Sequence, residues 1–334
     1  MKAFVVDAYK KNAALRLADM PDPKLGANDV LVRIHATGIN PLDSKIRDGE
    51  FKLLLPYRPP FILGHDLAGT VERVGADVRH FAVGDEVYGR PRDFRVGTFA
   101  ELIAVDAADV ALKPATLTMA EAASIPLVGL TAWQALVEVA KVQPGQKVFI
   151  QAGSGGVGTF AIQLAKHLGA TVATTTSTRN IEQVTKLGAD VVIDYTKQDF
   201  AEVLSGYDLV LNSQDAGTLA KSLRVLKPGG QVISISGPPD VAFAESLRLG
   251  LFLRLLMRGL SWGIRRKAKA RNVRFSFLFM RADGAQLGEI TRLIDAGVIR
   301  PVVDRVFPFA QTAEAMAYVD TGRVKGKVVI SVVG

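Results

Sequence analysis

Gly153, Gly155 and Gly158 are spaced G-x-G-x-x-G inside the stretch AGSGGVG. They directly follow the apolar run Lys147 to Gln151 and open a helix-like run from Gly158 to Leu168. In that strand–loop–helix setting each glycine has its own use: a tight turn, backbone approach to a pyrophosphate, and close packing of helix on strand. Ser154, Gly156 and Val157 complete the loop, and backbone N–H groups at the helix start favour a phosphate. About 20 residues further on, where an acid would hydrogen-bond to an adenine ribose, the chain instead reads Thr175-Thr176-Ser177-Thr178-Arg179-Asn180. Arg179 can pair with a 2′-phosphate and Ser177 can hydrogen-bond to it, so the expected cofactor is NADPH. The plainer alternative is that Ser177 or Thr178 caps a helix and Arg179 lies in solvent.

Such residues need a parallel sheet to hold them. From about Ala123 onward, strands at Lys147 to Gln151, Thr171 to Thr175, Ala189 to Ile193, Leu209 to Asn212 and Val232 to Ser236 alternate with helical stretches. That pattern predicts an α/β fold with a Rossmann-like doubly wound parallel sheet. Before Ala123 the chain has short alternating strands, as in Val30 to Ala36 and Leu67 to Val74, separated by glycine turns. This part predicts an antiparallel, barrel-like β domain. The expected division is 1–122 for that domain, 123–281 for the dinucleotide domain, and 282–334 returning to the first.

Composition narrows the functional classes. Hydrophobic residues make up 49% and charged residues 22% of the 334, which is globular and not disordered. The absence of cysteine excludes disulfides, thiolate nucleophiles and cysteine zinc sites, and fits a reducing compartment. With MKAFVVDAYKK reading as a first strand and not a signal peptide, the expectation is a cytoplasmic protein. The formal charge is +8, but ten Lys or Arg and no acid lie between Ser246 and Ala282, so the remainder is nearly neutral. A local patch of that kind argues against a nucleic-acid partner.

The patch coincides with an apolar segment, residues 247–269 (LRLGLFLRLLMRGLSWGIRRKAK). On a helical wheel Arg254, Arg258 and Arg265 fall within about 40° of one another, a stripe suited to an anionic membrane surface. Arg248, Arg254 and Arg258 interrupt it too often for a membrane span. Gly250, Gly259 and Gly263 weaken a single long helix there. The preferred reading is a helix that covers the substrate cleft or packs on the sheet, since apolar periodicity usually means core, with membrane contact as the alternative.

The order of GHDLAGTVERVG, VGDEVYG, GTFAEL, GLTAWQAL, AGSGGVG and the terminal GKVVI resembles the medium-chain dehydrogenase/reductase superfamily over nearly the full length. GINPLDSKIRDG, Gly38 to Gly49, resembles its zinc-free quinone oxidoreductase and enone reductase branch. The resemblance implies a GroES-like antiparallel β-barrel substrate domain beside the Rossmann-like domain. Gly64-His65-Asp66 stands where zinc-dependent relatives carry a zinc-binding His, but the cysteines are missing, and one imidazole cannot make a three-ligand zinc site. No metal is therefore expected, and His65 is read as structural.

The same resemblance implies that Asn40, Asp43 and Lys45 lie in a loop lining the nicotinamide ribose and the substrate cleft. Lys45 would donate to the ribose hydroxyl and to the substrate oxygen, or relay a proton. The alternatives are a solvated Lys45, with Asn40 and Asp43 as turn and capping residues. Thr131 would face the nicotinamide, Tyr195 would lie near the adenosine phosphate, and Gly237 would lie beside the nicotinamide ribose. Phe277, Leu278 and Phe279 would offer backbone groups to the carboxamide; core packing is the competing use for most of these positions. The implied activity is metal-free hydride transfer from NADPH to an enone, an alkenal or a quinone. Two alternatives are a quinone reductase proper and a low-turnover NADPH-binding interaction protein at a membrane surface. Phe275 to Met280 reads as an edge strand that would pair across a homodimer.

Overall fold

The computed structural model describes residues 1–247 and 249–333; Arg248, one of the arginines expected to interrupt the apolar segment, lies outside them. Two compact units divide the chain: Met1–Leu130 with Arg281–Gly334, and Thr131–Met280. In chain order the strands of the first unit begin with β1 (Lys2–Val6), β2 (Arg16–Asp19), β3 (Asp29–Ile39) and β4 (Phe61–Ile62). They continue with β5 (Leu67–Val74), β6 (Glu86–Gly89), β7 (Leu102–Asp106) and β8 (Val110–Leu112). The second unit holds β9 (Lys147–Ile150), β10 (Thr171–Thr176), β11 (Val191–Asp194), β12 (Tyr207–Asn212), β13 (Leu226–Ser234) and β14 (Arg274–Phe277). The first unit is completed by β15 (Val303–Pro308) and β16 (Lys327–Ser331).

In the first unit β3 is the scaffold. It pairs along one side with β5, while its other side is shared by β7 over Asp29–Arg33 and by β16 over Ala36–Ile39. Val30, Val32 and Ile34 point from it into a core with Leu67, Val71 and Val87, all essentially unexposed. The main sheet runs β15-β16-β3-β5-β6-β8, with β7 on β3, and β2-β1-β4 form a second, antiparallel sheet. Among the described residues neither sheet closes, so the expected barrel is corrected to open antiparallel sheets, with β15 parallel to β16. The two ends of the main sheet are blunted rather than joined. β15 ends in Pro308, and β8 is three residues long and covered by the helix Gly284–Asp295, whose Gly284 lies so close that a Cβ would sit 2.3 Å from the Val110 carbonyl.

The second unit holds a six-stranded sheet in the order β11-β10-β9-β12-β13-β14, every neighbouring pair parallel. Strand order reverses between β9 and β12, which opens a crevice at their carboxyl ends. Phe149, Val210 and Val232 anchor the core on one sheet face, with Phe200 and Tyr207 packed around the Phe149 ring. The sequence Lys227-Pro228-Gly229-Gly230, which by its Pro and Gly content is a turn signal, lies inside β13, where the register with β12 shifts and Gly229 takes φ 83°. The basic apolar segment forms one continuous helix, Leu251–Ala270; Gly259 and Gly263 do not break it.

Candidate active site

Every predicted cofactor residue falls in the second unit, and nearly all follow the carboxyl end of a strand. The glycine loop follows β9, Ser177 and Arg179 follow β10, and Tyr195 follows β11. Gly237 lies beyond β13, while Phe277 to Phe279 close β14 and continue past it. Thr131 stands apart, buried in the helix Pro126–Trp133.

The loop is built tightly on one side and left open on the other. Its left-handed residue is Ala152, with φ 50°, and not a glycine. Gly153 N–H donates to the Thr175 carbonyl at 2.9 Å, and Ala152 N–H to Thr175 Oγ1 at 3.1 Å, which ties the loop to β10. A Cβ on Gly153 would sit 2.1 Å from Thr174 Oγ1, and one on Gly158 would sit 2.3 Å from the Ala152 carbonyl. Those two glycines are therefore required by strand and helix packing. A Cβ on Gly155 would meet only the Ala152 carbonyl, at 3.4 Å. Gly155 caps the helix Gly156–His167, which starts two residues before the expected Gly158 because Gly155 is still extended (φ −82°, ψ 172°). The open side of the loop thus carries Gly155 and the unpaired N–H groups of the first helical turn, the arrangement that admits a pyrophosphate.

Beyond β10, Thr176 Oγ1 donates to Ser154 Oγ at 3.0 Å, and Asn180 Nδ2 reaches both Ser154 Oγ (3.2 Å) and Ser177 Oγ (3.3 Å). Asn180, which ties these two hydroxyls together, was not among the sequence candidates; its place three residues after Ser177 was the available signal. Arg179 is exposed and has no ion-pair partner among the described residues. The nearby carboxylate is Asp194, at the end of β11. It accepts hydrogen bonds from the Thr178 hydroxyl and, at 2.7 Å, from Thr196 Oγ1; these bonds hold its pKa down at about 2. Tyr195 beside it is exposed. After β12, buried Asn212 donates through Nδ2 to Ser234 Oγ and Ser236 Oγ, both at 3.1 Å, and so fixes the chain leading into Gly237. At β14, Leu278 N–H donates to the Ser234 carbonyl at 2.9 Å and Phe277 N–H to Asp240 Oδ2 at 3.1 Å, while Phe243 packs on the rings of Phe277 and Phe279.

The three predicted catalytic residues lie in the first unit, at and within the helix Pro41–Asp48. Their environments differ sharply. Asn40 and Asp43 are buried, and Asp43 Oδ2 accepts from the Asn40 N–H at 2.7 Å, the capping arrangement. The other Asp43 oxygen lies 2.6 Å from His65 Nδ1, and His65 Nε2 is buried without a hydrogen-bond partner. Asn40 Nδ2 donates to Asp66 Oδ2 at 2.8 Å. Into this cluster comes Lys327 from β16, donating to the Ile39 carbonyl (2.9 Å), Asp66 Oδ2 (3.0 Å) and Asn40 Oδ1. Lys327 was not among the sequence candidates, although a lysine opening the apolar run KVVIS is a signal of burial with a partner. Lys45 is the exception. Its side chain is 44% exposed, and Glu50, at 4.0 Å, is a weak neighbour. Of the three, Lys45 alone presents a charged donor to the outside of the unit.

Among the described residues no cluster of three His, Cys, Asp or Glu side chains is arranged to hold a metal ion. A Rossmann sheet with a glycine loop shaped for pyrophosphate, joined to an antiparallel unit with no zinc donor set, defines an NAD(P)H-dependent oxidoreductase of the metal-independent kind. Two family models match: "Alcohol dehydrogenase GroES-like domain" over residues 26–115, and "Zinc-binding dehydrogenase" over residues 187–330. The mouse "NAD(P)H oxidoreductase RTN4IP1, mitochondrial" is 36% identical, over 100% of this chain and 89% of its own length. The Arabidopsis thaliana "NADPH-dependent alkenal/one oxidoreductase, chloroplastic" is 34% identical, over 99% of this chain and 79% of its own. Among solved structures, the quinone oxidoreductase of Coxiella burnetii superimposes with a TM-score of 0.85 at 30% identity, covering 100% of this chain and 99% of that one. The chain belongs to the medium-chain dehydrogenase/reductase superfamily, in its zinc-independent quinone and enone oxidoreductase branch.

The comparisons also correct the expected cytoplasmic location. The mouse relative and its zebrafish, human and cattle counterparts are all mitochondrial by name. A lack of cysteine is compatible with several compartments, so composition had no power to choose among them.

Proposed function

We propose that this chain is an NADPH-dependent reductase of enones and alkenals, with the cofactor held by the second unit and the substrate by the first. The observation that carries the choice of NADPH is Arg179, exposed and without an ion pair among the described residues, close to the Ser177 hydroxyl past the end of β10, where a 2′-phosphate takes a guanidinium. The Arabidopsis relative, an NADPH-dependent alkenal/one oxidoreductase by name, supports both halves of the reading. The Coxiella relative keeps quinone reduction as the second reading.

NADPH supplies a hydride. When a hydride adds to the β-carbon of an enone, negative charge develops on the carbonyl oxygen, and a cationic donor placed there lowers the barrier. Lys45 is that donor in this reading, partly exposed and only loosely held by Glu50. Asn40, Asp43, His65, Asp66 and Lys327 hold the start of its helix from inside the unit and do not touch substrate. Thr131, Tyr195, Gly237 and the Phe277-Leu278-Phe279 backbone are assigned to the cofactor on the family pattern, with Asn180 and Asn212 fixing the segments around it. We further assign the free edge of β14 to pairing in a homodimer and the Leu251–Ala270 helix to contact with a membrane surface.

The test is NADPH oxidation with an alkenal, a cyclic enone and a naphthoquinone, for the native chain and Lys45→Ala. Removing a donor of this kind costs about 100-fold or more in rate. Turnover of the naphthoquinone alone overturns the enone reading, and an undiminished Lys45→Ala rate removes Lys45 from the mechanism.

A further inference from the structure

The helix Leu251–Ala270 carries two chemistries, one after the other along its axis. Met257, Ser261, Ile264 and Ala268 recur at helical spacing and face the unit's core, where Ala268 and Ile264 join Val273 and Phe275. Opposite them, the first turns expose Leu251 (73%), Phe252 (77%) and Leu255 (55%). The later turns expose Arg265, Arg266, Lys267 and Lys269 instead. Of the expected stripe, Arg258 and Arg265 are exposed on one flank of the helix, and Arg254 lies at its half-buried margin. Arg254 is half-buried and donates through Nε to the Leu249 carbonyl at 2.7 Å, so it belongs to the packed flank.

Beside the basic half is a cavity of about 720 Å³, lined chiefly by Arg258, Trp262, Arg265, Arg266, Lys269 and Arg274. No carboxylate lines it, and none of its five cations has an ion-pair partner among the described residues. The Arg266 guanidinium lies over the Trp262 ring at 5.3 Å, which presents an exposed indole edge at the same place. Uncompensated cations around one concavity repel each other, and an anion with several acceptor oxygens relieves that repulsion. A phosphate ester meets arginine forks in the bidentate geometry they favour. The exposed apolar turns immediately N-terminal on the same helix favour an amphiphile over a free anion.

We propose that this cavity is a headgroup site for anionic phospholipid, and that the helix seats on an anionic bilayer with Leu251, Phe252 and Leu255 in the acyl layer. The inference deepens the membrane-contact reading above and is independent of the reductase chemistry. No helix among the described residues is long and apolar enough to cross a membrane, so the contact is peripheral.

The experiment is co-sedimentation of the full chain with phosphatidylcholine vesicles, with or without phosphatidylglycerol, alongside Trp262 fluorescence read in a Trp133→Phe background, since the chain has two tryptophans. The protein is expected to bind the phosphatidylglycerol vesicles at least tenfold better than the neutral ones, with a blue-shifted Trp262 emission. Arg265→Gln and Lys269→Gln are each expected to weaken binding about five-fold, following the attraction of single basic residues to anionic lipid. Leu251→Ser/Phe252→Ser is expected to abolish the blue shift. NADPH turnover and the thermal melt of each variant are measured in parallel and should stay at native values, which separates failure of this site from failure of the reductase reading. Equal binding to both vesicle types, or binding to neither, overturns the proposal. So does saturation of the cavity by inorganic phosphate or glycerol phosphate with no vesicle binding, which would make it a site for a soluble phosphate.

Discussion

Lys327 Nζ lies 3.0 Å from Asp66 Oδ2, a buried ion pair made across 261 residues of chain. Asn40 bridges the same two side chains, so one cation holds together the end of β3, the segment after β4 and the last strand. Removing one partner of such a pair strands the other charge in the interior, at a cost of about 3–5 kcal/mol. Lys327→Met is therefore expected to lower stability by that amount in urea unfolding, with activity falling because the Lys45 helix loses its support.

Gly153 and Gly155 should separate packing from binding. Gly153→Ala drives a methyl against Thr174 and is expected to lower the melting temperature and abolish NADPH binding together. Gly155→Ala meets only a carbonyl at 3.4 Å. Its melt should stay near native while its NADPH Kd rises about tenfold, a loss of about 1.4 kcal/mol. Isothermal titration beside calorimetric melts distinguishes the two outcomes.

Arg179→Ala should weaken NADPH and leave NADH unchanged. A guanidinium–phosphate pair of this kind is worth about 1.5–3 kcal/mol, roughly 10- to 100-fold in Kd. An equal loss for both cofactors would place Arg179 elsewhere than at a 2′-phosphate.

Asp194 gives a pH dependence with a definite sign. The Thr178 and Thr196 hydroxyls hold its pKa at about 2 in the fold, against an ordinary value near 3.9 in the unfolded chain. A lowered carboxylate pKa stabilises the fold above the unfolded value, and the benefit fades as pH falls toward the folded one. The difference in melting temperature between native protein and Asp194→Asn should therefore be full above about pH 5 and disappear near pH 2.

Legibility followed distance along the chain. The glycine loop was readable because strand, turn and helix lie within one βα unit, although the left-handed position falls to Ala152 and Gly153 serves packing instead. The parallel sheet was readable from repeated βα units, although β13 ran through a Pro-Gly-Gly sequence that looked like a turn. For Asn40 and Asp43 the sequence offered both a cleft and a capping use, and their burial was hidden because the groups that cover them come from His65, Asp66 and Lys327. The run KVVIS hinted that Lys327 is buried, but not with which partner, since Asn40 is 287 residues away. Closure of a barrel depends on which edges meet, and periodicity within strands carries no information about that. The helical wheel of the basic segment averaged over its length and so missed the change from apolar to basic along the axis.

The placement of β16 on β3 has a consequence for how the molecule is made. A ribosome releases β3, His65 and Asp66 early, then the whole of the second unit, and only near the end Lys327. Until then the half of β3 from Ala36 to Ile39 has an unpaired edge, and Asp66 lacks its cation. The nascent first unit is consequently sticky for the whole time the second is being synthesised, and chaperone dependence should concentrate there.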